Sequence, residues 1–310
     1  MKNNEAFKNL NDRISFIRQD VEKLAARKGN SLADKIIFDS MDSHLSELMS
    51  KQVEADNRHP LVDFLELRLK GSVVDYGTIP LEILGIISTN LAALIQRATH
   101  KITSGKDSQK VPYDIKSSLN LRLADLSPGS TKLGVTFSTG LAELVETIPS
   151  KAVKEIFELL LSKDDTHFMN HVAEIGFNST LSLKKIIDEC DKHHLTFDAN
   201  WAGPFSDGVR SASIDSNRIK YLVSRLASTS SSNPVTVKMT GELVLLSKYG
   251  KLELNVDGER IRATYPLDML DSIQSKHKVG QAISLMIETV EIHNDRIGLN
   301  RKNHTVKSVI

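Results

Sequence analysis

The order of strand and helix patterns between residues 235 and 309 restricts the admissible folds more than anything else in this chain. Alternating runs over residues 235–247, 251–256 and 259–265 read as three strands, a short helix follows over 267–275, and two more strands cover 281–292 and a broken stretch reaching Val309. Val235, Val237 and Met239 recur at every second position. So do Leu252, Leu254 and Val256, then Ile261 and Ala263, then Ile283, Leu285, Ile287 and Thr289; each set therefore lines one face of its strand, the face expected to turn inward. Asp257-Gly258 is a favoured two-residue hairpin turn, because such a turn needs positive φ at its central residues. Pro266 has its φ preset for opening a helix. Five short strands with this much inward apolar surface are expected to close into a small barrel.

Upstream, the run Ser228-Thr229-Ser230-Ser231-Ser232-Asn233-Pro234 has no apolar anchor and reads as a linker, which places a domain boundary between 227 and 233. At the other end, Phe7, Leu10, Ile14, Ile17, Val21 and Leu24 recur at alternating spacings of three and four, the a/d seam of a heptad repeat, with charges on the remaining faces. Gly29-Asn30 stops that helix, and Ser31 caps a second one carrying Ile37, Met41, Leu45 and Leu48. Residues 1–60 are thus expected to form a coiled-coil-like helical hairpin. Its narrow apolar seam is the kind that serves self-association, because a surface helix of a globular body carries a wider stripe.

Between these ends the period changes. Leu61, Leu65, Leu67 and Leu69 mark a strand, residues 81–102 a helix apolar nearly all round, and Leu119, Leu121 and Leu123 a second strand returned across Ser127-Pro128-Gly129-Ser130 by Leu133, Val135 and Phe137. Short helices are expected over 151–161, 166–175 and 182–193, then a strand at Leu195, Phe197, Ala199 and Trp201, a partner strand over 209–214, and a helix capped by Asp215 or Ser216. Residues 61–227 therefore read as an α+β and helical body, with an apolar helix covering one face of a mostly antiparallel sheet.

Charge excludes some functions. Lys plus Arg number 40 and Asp plus Glu 39, so no global field draws in nucleic acid or an anionic membrane, and binding of that kind needs a local patch. Cys190 is the single cysteine, which excludes an intramolecular disulfide and fits a reducing compartment. The first residues lack a secretory pattern, and the most apolar run, 79–95, is broken by Glu82, Ser88, Thr89 and Asn90, short of the roughly 20 clean residues of a membrane span. The expected address is the cytoplasm.

Catalytic signatures are weak. His167, His171 and Glu174 fall at i, i+4 and i+7 on one helical face, with Cys190, His193 and His194 further along. This His-Phe-Met-Asn-His stretch lacks the Glu that follows the first His in zinc proteases. Asp188, Glu189 and Asp191, or Asp39 and Asp42, cluster on single helices rather than converging from several elements. Cys190 has no glycine elbow, no phosphate-cradling glycine pattern occurs, and Ser104-Gly105-Lys106 reads as an exposed connection. No cofactor and no metal are expected. A hydrolase built around His167 and His171, or around Trp201, Asp198 and Asp207, is the enzymatic alternative.

The element order of residues 233–310, together with the Asp257-Gly258 hairpin, resembles OB-type modules; Sm-like and SH3-like barrels are the alternatives, and the intervening helix and the five strands favour OB. That resemblance implies a ligand face on the second and third strands and on the loops joining strands 1–2 and 4–5. On that face fall Lys248, Tyr249, Lys251, Arg260, Arg262 and Arg296. Single-strand binders offer several aromatics for base stacking, whereas Tyr249 and Tyr265 are the only two here. The expectation is a non-enzymatic binding or assembly protein. It self-associates through its N-terminal helices as a homo-oligomer and engages a protein partner through the barrel; a subunit that recognises single-stranded nucleic acid and acts with a separate effector is the alternative.

Overall fold

The computed structural model describes residues 17–18, 21–25, 35, 37–46, 61–127, 131–140, 147–203, 209–248 and 250–310. The chain divides into two compact units, 1–60 and 61–310.

In the first unit the described residues are helical. Ile17 and Val21 are buried against Leu45, with Phe38 and Met41 partly buried beside them. Phe38, rather than the half-exposed Ile37, takes the packing position expected of its stretch. Leu24 is half-buried, and Phe7, Leu10 and Ile14 lie outside the described residues.

The second unit carries the labels used below. Its five-stranded antiparallel sheet has the order β2-β3-β1-β4-β5, from β1 (Leu61–Lys70), β2 (Arg122–Ser127), β3 (Thr131–Gly140), β4 (Thr196–Ala202) and β5 (Val209–Ile214). Alternation decides its two faces. Leu65, Leu67 and Leu69 share one core with Ile87, Leu94 and Ile95 of α1 (Leu81–Ser104). The even-numbered positions of β1 and the residues paired with them turn the other way. There Lys132, Glu66, Asn200 and Ser211 form one polar row across three strand pairings, and Lys70, Asp198 and Ser213 form another. These rows keep that face of the sheet polar, although Val62 and Phe64 are exposed on it.

The apolar α1 packs against α3 (Ile148–Leu161), α4 (Asp165–Ile175) and α5 (Phe177–Lys192), yet only about a third of its most apolar stretch is buried and Leu81 is exposed. Helix starts follow local chemistry: Asp164 accepts from His167 N–H at 2.8 Å, and Asp215 accepts from Arg218 N–H at 2.7 Å to begin α6 (Ser216–Ala227). The loop after α1 is structural rather than a mere exposed connection. Its Asp107 accepts from Phe177 N–H at 2.6 Å and Asn178 N–H at 3.1 Å, capping α5 from outside its own sequence. Sequence alternation placed a strand at Leu119, but Leu119 instead ends the short α2 (Tyr113–Leu119), opened by Pro112, and β2 starts at Arg122.

The barrel comprises β7 (Val235–Ser247), β8 (Lys251–Val256), β9 (Glu259–Thr264), β10 (Ala282–Asn294) and β11 (Leu299–Val309). Going round, the order is β7-β8-β9-β11-β10, and β10 pairs with β7 to close it. The β9–β11 pairing is parallel and the others are antiparallel. This OB-like order has α7 (Leu270–Lys276) between the third and fourth strands, after a single turn that Pro266 opens. Asp257 and Gly258 both take positive φ, as the hairpin requires. Along β7 the first part pairs with β10 and the last with β8, and Gly241 sits at the crossing, where a Cβ would lie 2.5 Å from Asn255 O.

Two expectations fail here. Val235 and Val237 are exposed, because β7 begins outside the closed part of the barrel and only Met239 onward reaches its core. The serine run is not an unpacked linker: Thr229–Ser231 is a strand, β6, paired with the far end of β10. Backbone hydrogen bonds and the Asn294 amide (2.8 Å to Thr229 Oγ1) substitute for apolar anchors there.

Candidate functional site

The outer face of β8 and β9, the ligand face of an OB-like barrel, meets the helical layer of the same unit. A cleft of ≈ 490 Å³ lies between them. Its barrel wall includes Lys251, Glu253 and Arg262, together with Lys302 and His304 of β11, and its helical wall includes Lys101, Lys151 and Glu174.

Glu174, near the C-terminal end of α4, is the hinge of this arrangement. One oxygen, Oε1, accepts from Lys251 Nζ at 2.9 Å and lies 3.1 Å from Lys151 Nζ. Burial by itself would raise the Glu174 carboxyl, but Lys251 and then Lys151 outweigh it and hold the group down at about 2. Burial pulls the Lys251 ammonium down, Glu174 more than reverses this, and its net pKa is raised. Lys251 therefore ties the barrel to the body and is committed within the chain.

Arg262 Nε donates to Glu253 Oε1 at 2.7 Å across the β8–β9 ladder while keeping 86 % of its side chain exposed. Arg260, two residues earlier on the same face, is exposed. Lys248 is exposed at the β7–β8 turn, and Tyr249 lies outside the described residues. Arg296 stands apart from the cleft lining, exposed on the β10–β11 hairpin, and its neighbours explain the separation. Ile292, Ile297 and Leu299 pack on the core of the body, and the Asn294 amide donates to Arg225 O at 2.7 Å. The hairpin expected to overhang a ligand is thus docked on the helices.

Sequence alone did not point to the helical wall. Lys101 has 6 % of its surface exposed and donates from Nζ to Gly105 O at 2.7 Å. Burial pushes its pKa below the ordinary ammonium value, with Asp107, Glu174 and Glu288 pulling the other way. Gly105 ends α1 at φ +72 and touches the barrel where β9 and β11 pair, and its carbonyl also accepts from Thr305 Oγ1 at 2.9 Å. A lysine near a helix C-terminus has an ordinary role toward the last carbonyls, so its placement in a cleft had no sequence signal.

The histidine constellation comes apart. Glu174 joins the two lysines, and His171 Nδ1 lies 2.7 Å from Glu155 Oε2 on α3. His167 meets His171 only edge to face, with ring centroids 6.3 Å apart. Among the described residues no group of three His, Cys, Asp or Glu side chains converges to hold a metal ion. Cys190 is buried, and burial pushes its thiol up to about 12, which removes it as a nucleophile at neutral pH.

The second grouping resolves into a structural network. Trp201 Nε1 donates to Asp63 Oδ1 at 2.7 Å, and Ser150 Oγ donates to Asp63 Oδ2 at 2.9 Å, all in the interior. Burial raises the Asp63 pKa, and the Trp201 and Ser150 hydrogen bonds oppose the rise. Asp198 instead pairs with Lys70 on the polar sheet face, and Asp207 lies outside the described residues. No family model, curated protein or solved structure matches this chain, so its functional reading rests on this geometry.

Proposed function

We propose that this chain is a non-enzymatic binding and assembly protein whose OB-like barrel engages a protein partner with an acidic surface. The observation that carries this reading is the exposed basic strip Arg260–Arg262 on β9, on the face OB-like barrels use for recognition. A protein partner is favoured over single-stranded nucleic acid because the strip offers no stacking platform among the described residues. Residues 233–310 contain no Phe or Trp, and Tyr265 is fully buried, with its hydroxyl donated to Ser247 O. Self-association through the N-terminal heptad seam is part of the same proposal.

The test uses the full chain isolated from its own cells, in parallel with an Arg260→Ala/Arg262→Ala variant. A stoichiometric protein that stays with the wild type and leaves the variant supports the reading. Salt-dependent oligonucleotide binding that collapses in the variant would move the assignment to nucleic acid, where each phosphate neutralised contributes about −0.7 to the salt slope.

A further inference from the structure

Lys101 is a buried lysine with few direct partners. Its ammonium is buried and has three protons to donate. Among the described residues it has one hydrogen-bond acceptor, the Gly105 carbonyl, and no ion pair. Asp107, Glu174 and Glu288 act on this ammonium from further off, but none is within ion-pair distance, so the cost of its burial is only partly offset. An anion entering the cleft would supply a direct partner.

The surroundings indicate what kind of anion. Five cationic side chains line the cleft, Lys101, Lys151, Lys251, Arg262 and Lys302, against the two carboxylates of Glu174 and Glu253. Glu174 is saturated by two of the lysines, and Glu253 holds Arg262. Lys101 and Lys302 line the cleft without an ion pair among the described residues. A monocarboxylate would neutralise only one of them, whereas a phosphate group carries up to two negative charges and three acceptor oxygens. The volume of ≈ 490 Å³ falls within the range of small-molecule sites. No Phe, Tyr or Trp ring is among the described lining residues, and His304 is the one ring there that could meet a nucleobase.

We propose that the cleft between barrel and helical layer binds a small phosphate-bearing anion, with Lys101 as its buried counter-charge and Lys302 at the rim. This does not depend on the acidic protein partner, whose strip is tested at Arg260 and Arg262; the present test leaves both arginines intact.

The experiment is calorimetric titration of the full chain with pyrophosphate, repeated with acetate at matched ionic strength, alongside thermal melts. We expect saturable one-to-one binding of pyrophosphate, a raised Tm, and little effect of acetate. Lys101→Met should weaken binding at least tenfold while its unliganded Tm equals or exceeds that of the wild type, since the change removes a buried charge that has no ion pair among the described residues. Lys302→Ala should weaken binding several-fold without altering the unliganded Tm, and it decides the matter if the Lys101 variant does not fold. Three outcomes would overturn the proposal: no saturable binding, equal responses to acetate and pyrophosphate, or unchanged affinity in Lys302→Ala and in a folded Lys101→Met.

Discussion

Gly105 is where the end of α1 meets the barrel, and replacing it with alanine measures how tightly the two are joined. Two costs add. At φ +72 a side chain strains the backbone by about 1–2 kcal/mol. The new Cβ would also lie 2.5 Å from Thr264 Oγ1 and 2.9 Å from Thr305 Cγ2. Neither threonine has an easy retreat: both are β-branched and stiff at χ1, both sit in the parallel β9–β11 pairing, and Thr305 is itself bonded to Gly105 O. Overpacking of this kind costs about 1–3 kcal/mol. Gly105→Ala should therefore lose about 2–5 kcal/mol. Gly298→Ala is the matched control, with φ +64 and nothing within 4 Å of its Cβ, and should lose only the backbone part, about 1–2 kcal/mol. Urea unfolding followed by the fluorescence of Trp201, the chain's single tryptophan, reads both. A Gly105→Ala loss within about 0.5 kcal/mol of the control, small against the overpacking range, would refute the close approach.

Acid should weaken the tie between barrel and body. Glu174 is held at about 2 from an ordinary 4.5, so its contribution is fully present above pH 4.5 and disappears as pH falls toward 2. With 34 % of that side chain exposed, solvent screening reduces the contribution to about 1–2 kcal/mol. Denaturation series at pH 6 and pH 2.5 should show that loss in the wild type and not in Glu174→Gln; equal acid sensitivity of the two would count against the bridge. In the interior, Asp63→Ala should cost about 2–4 kcal/mol by stranding Trp201 Nε1 and Ser150 Oγ, whereas Asp63→Asn should stay within about 1 kcal/mol because it keeps an acceptor and removes a buried charge. Urea midpoints that rank the two variants the other way would contradict the network.

The barrel was legible because period-two alternation and a positive-φ turn are local signals. Leu252, Leu254, Ile283, Leu285 and Ile287 are buried as the alternation required. What is not local was not legible. The pairing of β1 with β4 joins Leu65 to Trp201, and the Asp63–Trp201 hydrogen bond spans 138 positions in sequence, with neither residue advertising the other. The candidate site divides in the same way. Arg260 and Arg262 share a side because of the strand period, but Lys101, Lys151 and Glu174 reach the cleft from three helices whose positions depend on packing. Shared spacing on α4 grouped Glu174 with His167 and His171, yet the partners on neighbouring elements decide what each does.

β10 has a consequence for how the second unit comes apart. Ile283, Leu285 and Ile287 fill the barrel interior, while Ile292, further along the same strand, belongs to the core beneath the sheet. A strand with its ends in two interiors leaves neither free to melt first, because releasing Ile292 also breaks the ladder with β11 that closes the barrel. Residues 61–310 should consequently lose structure in one cooperative step, and a barrel transplanted alone would carry bare the apolar end that normally meets the body.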